Sequence, residues 1–403
     1  MNRVIQWGLI LWFAMAAAVC LGQTVQPVES QRQTALSFEQ QGKNAEAETV
    51  WRALLKQHPA NPEPYAHLGL LEARQEHYKE AVSFYRKALV LSPSNPELRL
   101  NLGLALFKTG EMKEAVQIFD KLLKSQALSL PEVQRLTILL GMGHYALGEF
   151  TKAAPYLKQA ATDDPRNLGL RLSLAHSCLW SKQYQCVLDT YHEILLLNAE
   201  SAEADMLAGE ALDELKDHGG AIKQFRAAVQ ANPNEPDVHF GLGYLLWTQR
   251  QYEEAASELQ AELTNNPNQI QALVYLGDAQ MQMRHPEAAL PILEQVERVA
   301  PTLSLGHLDL GILYADAGRN EDALRELNIA KKLTPNDVNV HWRLGRLYRA
   351  MGKKDEAKAE LDRASNLNKA TDGALVNKMS GTGVKANSGG ALAKGVGDAQ
   401  SER

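Results

Sequence analysis

Cysteine is nearly absent, with three residues in 403: Cys20, Cys178 and Cys186. If an N-terminal leader is removed, only the last two remain. That excludes a small scaffold held by many disulfides, so stability has to come from packing. A surplus of positive charge is also missing, since 42 Lys and Arg face 48 Asp and Glu, giving a formal charge of -6. Proteins that grip nucleic acid by its phosphates need the opposite balance to displace counterions, so nucleic acid is excluded as a general partner. The motifs of catalysis are lacking as well. There is no phosphate-binding Gly-rich loop, no G-x-S-x-G turn, no H-E-x-x-H and no cysteine set at metal spacing. No enzyme activity, cofactor or metal is expected.

What is present is a chain that is 45% apolar and 22% charged, too hydrophobic for a disordered protein and long enough for one large or two ordinary domains. Its one long apolar run stands at the N-terminus. Arg3 leads into Val4 to Val19, interrupted only by the polar Gln6, and the small residues Ala16, Ala18 and Gly22 lie at its end. This is the layout of a signal peptide cut after Ala18 or Gly22, so residues 1–22 predict export to the periplasm or the exterior. Uncleaved, the run is close to the roughly 20 apolar residues that span a bilayer and would serve as a membrane anchor. Lipidation at Cys20 is a third reading, disfavoured by the bulk of Val19. Membrane attachment is expected through this segment alone.

The strongest signal is self-similarity. Gly69, Gly103, Gly209, Gly243, Gly277, Gly311 and Gly345 fall on a 34-residue grid after one shift. Twelve places after each stands Ala81, Ala115, Ala221, Ala255, Ala289, Ala323 or Ala357, and Gly141 with Ala153 repeats the pairing. Twelve further on, Pro93, Pro165, Pro233, Pro267, Pro301 or Pro335 punctuates the chain, where a ring that cannot continue a helix separates one copy from the next. The clearest copy runs Pro62-Glu63-Pro64-Tyr65-Ala66-His67-Leu68-Gly69, then Tyr78-Lys79-Glu80-Ala81, Tyr85, Ala88 and Pro93.

These residues resemble the tetratricopeptide repeat (TPR) family. Copies are predicted at 28–61, 62–95, 96–129, 134–167, 168–201, 202–235, 236–269, 270–303, 304–337 and 338–371, ten helix-turn-helix repeats in an all-α, right-handed superhelical solenoid. The glycine and the alanine are expected to face each other where the two helices cross, as Gly345 and Ala357 would, with Leu344, Tyr348 and Leu361 as the bulk beside them. The four residues 130–133 break the register and predict a lengthened inter-repeat loop between repeats 1–3 (28–129) and repeats 4–10 (134–371). Departures from the pattern mark weak places: Thr34 and Ala35 in the first copy, Val187 and Ala199 in the fifth, and Glu262 in a slot that is usually small and apolar. Residues 372–403, rich in Gly, Ala, Ser and Lys, are predicted to be a disordered tail.

The resemblance implies that the first helix of each repeat lines a concave groove for peptides or extended protein segments. The residues at those places are Leu100, Leu104, Phe107, Met142, Tyr145, Leu172, Leu179, Phe240, Tyr244, Trp247, Val274, Met281, Leu308, Ile312 and Trp342. Two readings stay open: an interaction surface with aromatic anchors, or ordinary core between neighbouring first helices. Acids crowd the sixth to ninth copies (Glu203, Glu210, Asp213, Glu214, Asp237, Asp278, Asp309, Asp316), whereas Arg343, Arg346 and Arg349 stand in the tenth. An apolar, partly basic segment meeting a wall of this kind, with a carboxylate on the arginines, would be complementary; solvated helix faces are the plainer reading of the acids. A TPR subclass that holds chaperone C-termini with Lys and Asn is not matched, because the corresponding places carry Ala66, Leu70 and Asn101.

His239, His307 and His341 share one repeat place, but a pair of neighbours lacks the further ligands that zinc prefers. Cys178 and Cys186 lie symmetrically about the turn of the fifth copy and are a candidate disulfide. The function expected is a non-catalytic scaffold of the cell envelope that binds protein or peptide partners. The alternative is an accessory subunit that presents substrates to an envelope enzyme such as a glycosyltransferase or protease.

Overall fold

The structure, a computed structural model, describes residues 28–125, 128–197 and 201–379, apart from the side chains of 370–379. The N-terminal segment 1–22, with its alternatives of signal peptide, anchor and lipidation at Cys20, lies outside the described residues, as does the tail beyond Met379. Among the described residues there are twenty helices and no strand, and no helix is long and apolar enough to cross a membrane.

The chain divides into two compact units between residues 199 and 200. The first holds α1 (Val28–Gln40), α2 (Asn44–Gln57), α3 (Pro62–Arg74), α4 (Tyr78–Leu91), α5 (Pro96–Thr109), α6 (Met112–Leu123), α7 (Leu130–Ala146), α8 (Phe150–Asp163), α9 (Leu168–Trp180) and α10 (Tyr184–Leu196). The second holds α11 (Ala202–Glu214), α12 (His218–Ala231), α13 (Val238–Thr248), α14 (Tyr252–Asn265), α15 (Ile270–Gln282), α16 (Pro286–Val299), α17 (Ser304–Asp316), α18 (Asn320–Leu333), α19 (Val338–Ala350) and α20 (Lys354–Met379). In each unit the helices pair into five consecutive hairpins, an all-α repeat fold. The division falls at the end of the fifth copy, where Ala199 stands in place of the spacer proline.

Local chemistry sets the ends of these helices. The six spacer prolines all sit in turns between hairpins. Asn61, Asn95 and Asn167 then cap α3, α5 and α9, their side-chain oxygens accepting backbone N–H groups that have no partner inside the helix. Within every hairpin the turn passes through one left-handed residue. It is Gly42, Gly110, Gly148, Gly318 or Gly352 in five copies, but Glu76, Lys182, Lys216, Arg250 or Arg284 in the others, with φ between 60° and 69°. Tertiary packing there overrides a local preference worth about 1 kcal/mol.

Packing between the paired helices refines one expectation. The repeat glycines do lie against the alanines twelve places on, a Cβ on Gly345 coming 3.3 Å from the Ala357 backbone oxygen, but their nearest neighbour is a different side chain. A Cβ placed on Gly69, Gly103, Gly141, Gly209, Gly243, Gly277, Gly311 or Gly345 would come within 3.0 Å of the large side chain sixteen places on: Tyr85, Phe119, Leu157, Phe225, Leu259, Leu293, Leu327 or Leu361. The missing side chain makes room for that ring or leucine, which fills the space between the two helices. The alanines Ala81, Ala115, Ala153, Ala221, Ala255, Ala289 and Ala323 are buried completely and let the backbones approach.

Two other expectations change. Residues 130–133 are not a lengthened loop but the first turn of α7. The Ser129 hydroxyl and backbone N–H both donate to the Glu132 carboxylate, at 2.6 and 2.7 Å, and Pro131 occupies the first turn, where its missing N–H costs nothing. At the other end, α20 runs to Met379, eight residues into the stretch read as tail from 372. Ala374, Leu375, Lys378 and Met379 are good helix formers, and each residue added to an existing helix gains a hydrogen bond without a new nucleus.

In the fifth copy Cys178 and Cys186 are joined by a disulfide across the α9–α10 turn, with their Cα atoms 5.9 Å apart. Thiol titration of the denatured, oxidised protein is expected to find two more free thiols after reduction than before. An equal count in both states would show that the bond does not form.

Candidate protein-binding surface

The groove residues read from the sequence separate into two sets, one in each unit. In the first unit Leu104 and Phe107 on α5 are half-buried against the core of α4 to α7, together with Leu100. Tyr145 on α7 meets Phe150 and His176 edge-on, at 5.8 and 6.3 Å between ring centres, and Phe150 stacks on the exposed Trp180. Met142 and Leu179 are half-buried in the same helices.

In the second unit the predicted residues draw together. Phe240, Tyr244 and Trp247 lie along α13 at spacings of four and three, so they share one face, with ring centres 6.2 Å apart from each to the next. Tyr275 of α15 joins them, 5.1 Å from Tyr244 and 4.8 Å from Trp247. All four rings are half-buried, and the Tyr275 hydroxyl has its pKa pushed up to about 12, first by burial, then by Tyr244 and Asp278. Tyr275 was not read from the sequence as a wall residue. The signal was available, since it precedes its repeat glycine by two places as Arg343 does. Met281 and Ile312 are half-buried against the core of α16 to α19. Val274 and Leu308, in contrast, are buried at 4% and 8% exposure and belong to the core rather than the wall, Val274 clustering with Val296 of α16 and Leu308 with the core of α16 to α19.

The acids are not one solvated strip. Asp278 is buried and accepts hydrogen bonds from the Trp247 indole and, at 3.1 Å, from the Gln282 amide. Burial raises its carboxyl above the usual range although both bonds oppose the rise. Asp309 is fully enclosed, and one of its oxygens, Oδ2, has no hydrogen-bond partner. Burial holds its carboxyl well above the ordinary carboxylate range, with the nearby Asp278 adding to the effect and Arg343 opposing it. Glu210 keeps an exposed side chain, yet desolvation by the protein around it pushes its carboxyl up to about 7, with Asp237 and Glu214 adding like charge.

Glu262 explains its own departure from the repeat. Asp237 precedes α13 in a left-handed conformation and its side chain makes no capping bond. Glu262 reaches over from α14 and accepts the Phe240 backbone N–H at 3.1 Å, so an acid from the second helix of the hairpin supplies the cap that positions the aromatic row.

At the far end Trp342 is 41% exposed and carries two guanidinium groups against its ring, that of Arg343 at 5.1 Å and that of Arg346 at 4.8 Å. His239, His307 and His341 are buried, and each meets the glutamate nineteen places on, Glu258, Glu326 or Glu360, through Nδ1. His307 and His341 also donate from Nε2 to the carbonyls of Pro301 and Pro335, at 2.9 and 3.0 Å. Both nitrogens of these two rings are thus engaged in tying the hairpin to the preceding turn.

Sequences described as tetratricopeptide repeat match residues 72–137 in one form, and 32–96, 188–236, 217–270, 274–338 and 308–371 in another. No match was found among curated proteins. Among solved structures, YrrB, a TPR protein with an unusual peptide-binding site, is 18% identical with a TM-score of 0.38 and covers 47% of this chain and 97% of its own. MamA from Desulfovibrio magneticus RS-1 is 20% identical with a TM-score of 0.39, covering 43% and 99%. The Cut9–Hcn1 hetero-tetramer of the APC/C is 14% identical with a TM-score of 0.42, covering 91% and 92%. At these values no residue role is carried over from them.

Proposed function

Because the chain belongs to the tetratricopeptide repeat family, we propose that it is a non-catalytic scaffold of the cell envelope that binds a segment of a partner protein along the inner wall of its second unit. The observation that carries this reading is the aromatic row of Phe240, Tyr244, Trp247 and Tyr275, held half-buried on rigid helices. Large rings lose little entropy on binding and dominate interface energies when they fill pockets. Export is proposed from the charged start and apolar run of residues 1–22, and the envelope assignment rests on that run.

The acids around the row give the bound segment its chemistry. Glu210, with a carboxyl pushed up to about 7, would ionise more readily once a cation lies beside it, so an apolar, partly basic segment is the complement. Affinity purification from the envelope fraction tests the reading with the native chain and a variant carrying Phe240→Ser, Tyr244→Ser and Trp247→Ser. The variant is expected to lose partners that the native chain retains. Identical partner sets would reject the wall, and recovery of the native chain only from the cytosol, with residues 1–22 intact, would reject the envelope part.

A further inference from the structure

Trp342, Arg343 and Arg346 lie on α19, two helices of the same kind beyond Tyr275, and the aromatic row leaves them without a role. Neither guanidinium forms an ion pair among the described residues, although the unit is rich in acids. Arg343 is half-buried, and burial together with the neighbouring Arg346 lowers its pKa. The acids that pull the other way are Asp316 and Asp309. Asp309 is the enclosed carboxyl that burial biases toward its neutral form, so it compensates Arg343 weakly. Two like charges are therefore held together over one indole ring, with Asp316 as the one exposed carboxylate beside them and no direct ion pair to it.

A cavity of about 160 Å³ opens beside them between α17, α18 and α19. Ile312, Ala315, Leu347 and Ala350 line its apolar part, and Arg343, Arg346 and Asp316 its polar part. Guanidinium groups offer paired donors that match a planar carboxylate, and the apolar lining suits a hydrocarbon stem beside it. We infer that Trp342, Arg343 and Arg346 form a seat for an acidic side chain, Asp or Glu, flanked by an apolar residue of the bound segment. This rests on the wall reading above and adds a chemical requirement to it. Three first-helix spacings separate α13 from α19, roughly 27 Å at about 9 Å each, which about eight extended residues span. The segment would then carry its apolar anchor and its acid some eight residues apart.

Short probes test the seat separately from the wall. The indole N–H resonance of Trp342, identified by its loss in Trp342→Phe, is followed while the full chain is titrated with N-acetyl-Phe-Glu-amide. Saturable binding is expected, weaker by about tenfold for N-acetyl-Phe-Gln-amide, since a charge-assisted pair is lost. The combined Arg343→Gln and Arg346→Gln variant is expected to bind both probes alike. Arg343→Lys with Arg346→Lys, which keeps the charge but not the fork, is expected to retain part of the preference. Equal binding of the Glu and Gln probes to the native chain overturns the proposal. So does tighter binding of inorganic phosphate, or of N-acetyl-Phe with a free carboxylate, because the seat would then suit a free anion or a chain terminus. The Ser variant at Phe240, Tyr244 and Trp247 is expected to bind the Glu probe normally, so failure of the wall and failure of the seat are read apart.

Discussion

Gly311→Val is expected to destabilise the second unit by about 3 kcal/mol. A Cβ at this position would lie 2.6 Å from Cγ and 2.8 Å from Cδ2 of Leu327, and 3.3 Å from the Leu327 backbone nitrogen. The leucine tip could rotate away, but the backbone of α18 cannot yield without shifting the hairpin. Valine adds two further carbons in the same space and gains only a few tenths of a kcal/mol in helix propensity over glycine. Gly311→Ala gains about 1 kcal/mol in propensity against an overpacking cost of about 1–3 kcal/mol, so its net loss should be smaller. Urea unfolding of the two variants and the native chain measures the difference. A valine variant as stable as the native protein would show that the glycine is not needed for space.

Asp309→Asn is expected to stabilise the protein at neutral pH and to flatten its pH dependence. The folded-state pKa of Asp309 is raised, so the stability tied to this group is fully present below the unfolded carboxyl pKa and is lost as pH rises toward the folded value. Each pH unit in that interval changes the stability by about 1.4 kcal/mol. Asparagine has nearly the same shape and cannot ionise. The variant should therefore match the native protein near pH 3.5 and exceed it increasingly from about pH 4 upward. Thermal unfolding across that range measures the gap. A constant difference would mean that Asp309 titrates alike in the folded and unfolded chains.

The repeat was legible because stacking hairpins reuse one packing problem every 34 residues. Small residues such as Gly311 and Ala323 and a turn residue such as Pro335 have to recur in register, and they do. Less legible was which atom a small residue makes room for: periodicity places Gly311 at the crossing with a leucine beside it, as Leu361 beside Gly345, but only coordinates show that Leu327 occupies the room of the missing side chain. The same holds for residues 130–133. An insertion is visible as a slip in register, whereas its helical form depends on the bond between Ser129 and Glu132.

The aromatic row was half legible. Phe240, Tyr244 and Trp247 share a helix face and could be read together, but Tyr275 comes from the next repeat and needs the stack to reach them. The acids were the hardest, because exposed Asp316 and enclosed Asp309 carry the same chemistry in sequence and differ only in what neighbouring helices cover.

By itself the sequence determined the class of fold, the number of hairpins and the small residues that let their helices approach, since these follow from spacing along one chain. Tertiary structure alone decided which wall residues are core, as Val274 and Leu308 are, which acid is enclosed without a partner, and that Glu262 caps α13. Those properties arise where one helix closes over another, and the dielectric and the unpaired polar groups at such a contact belong to the pair of helices rather than to either one.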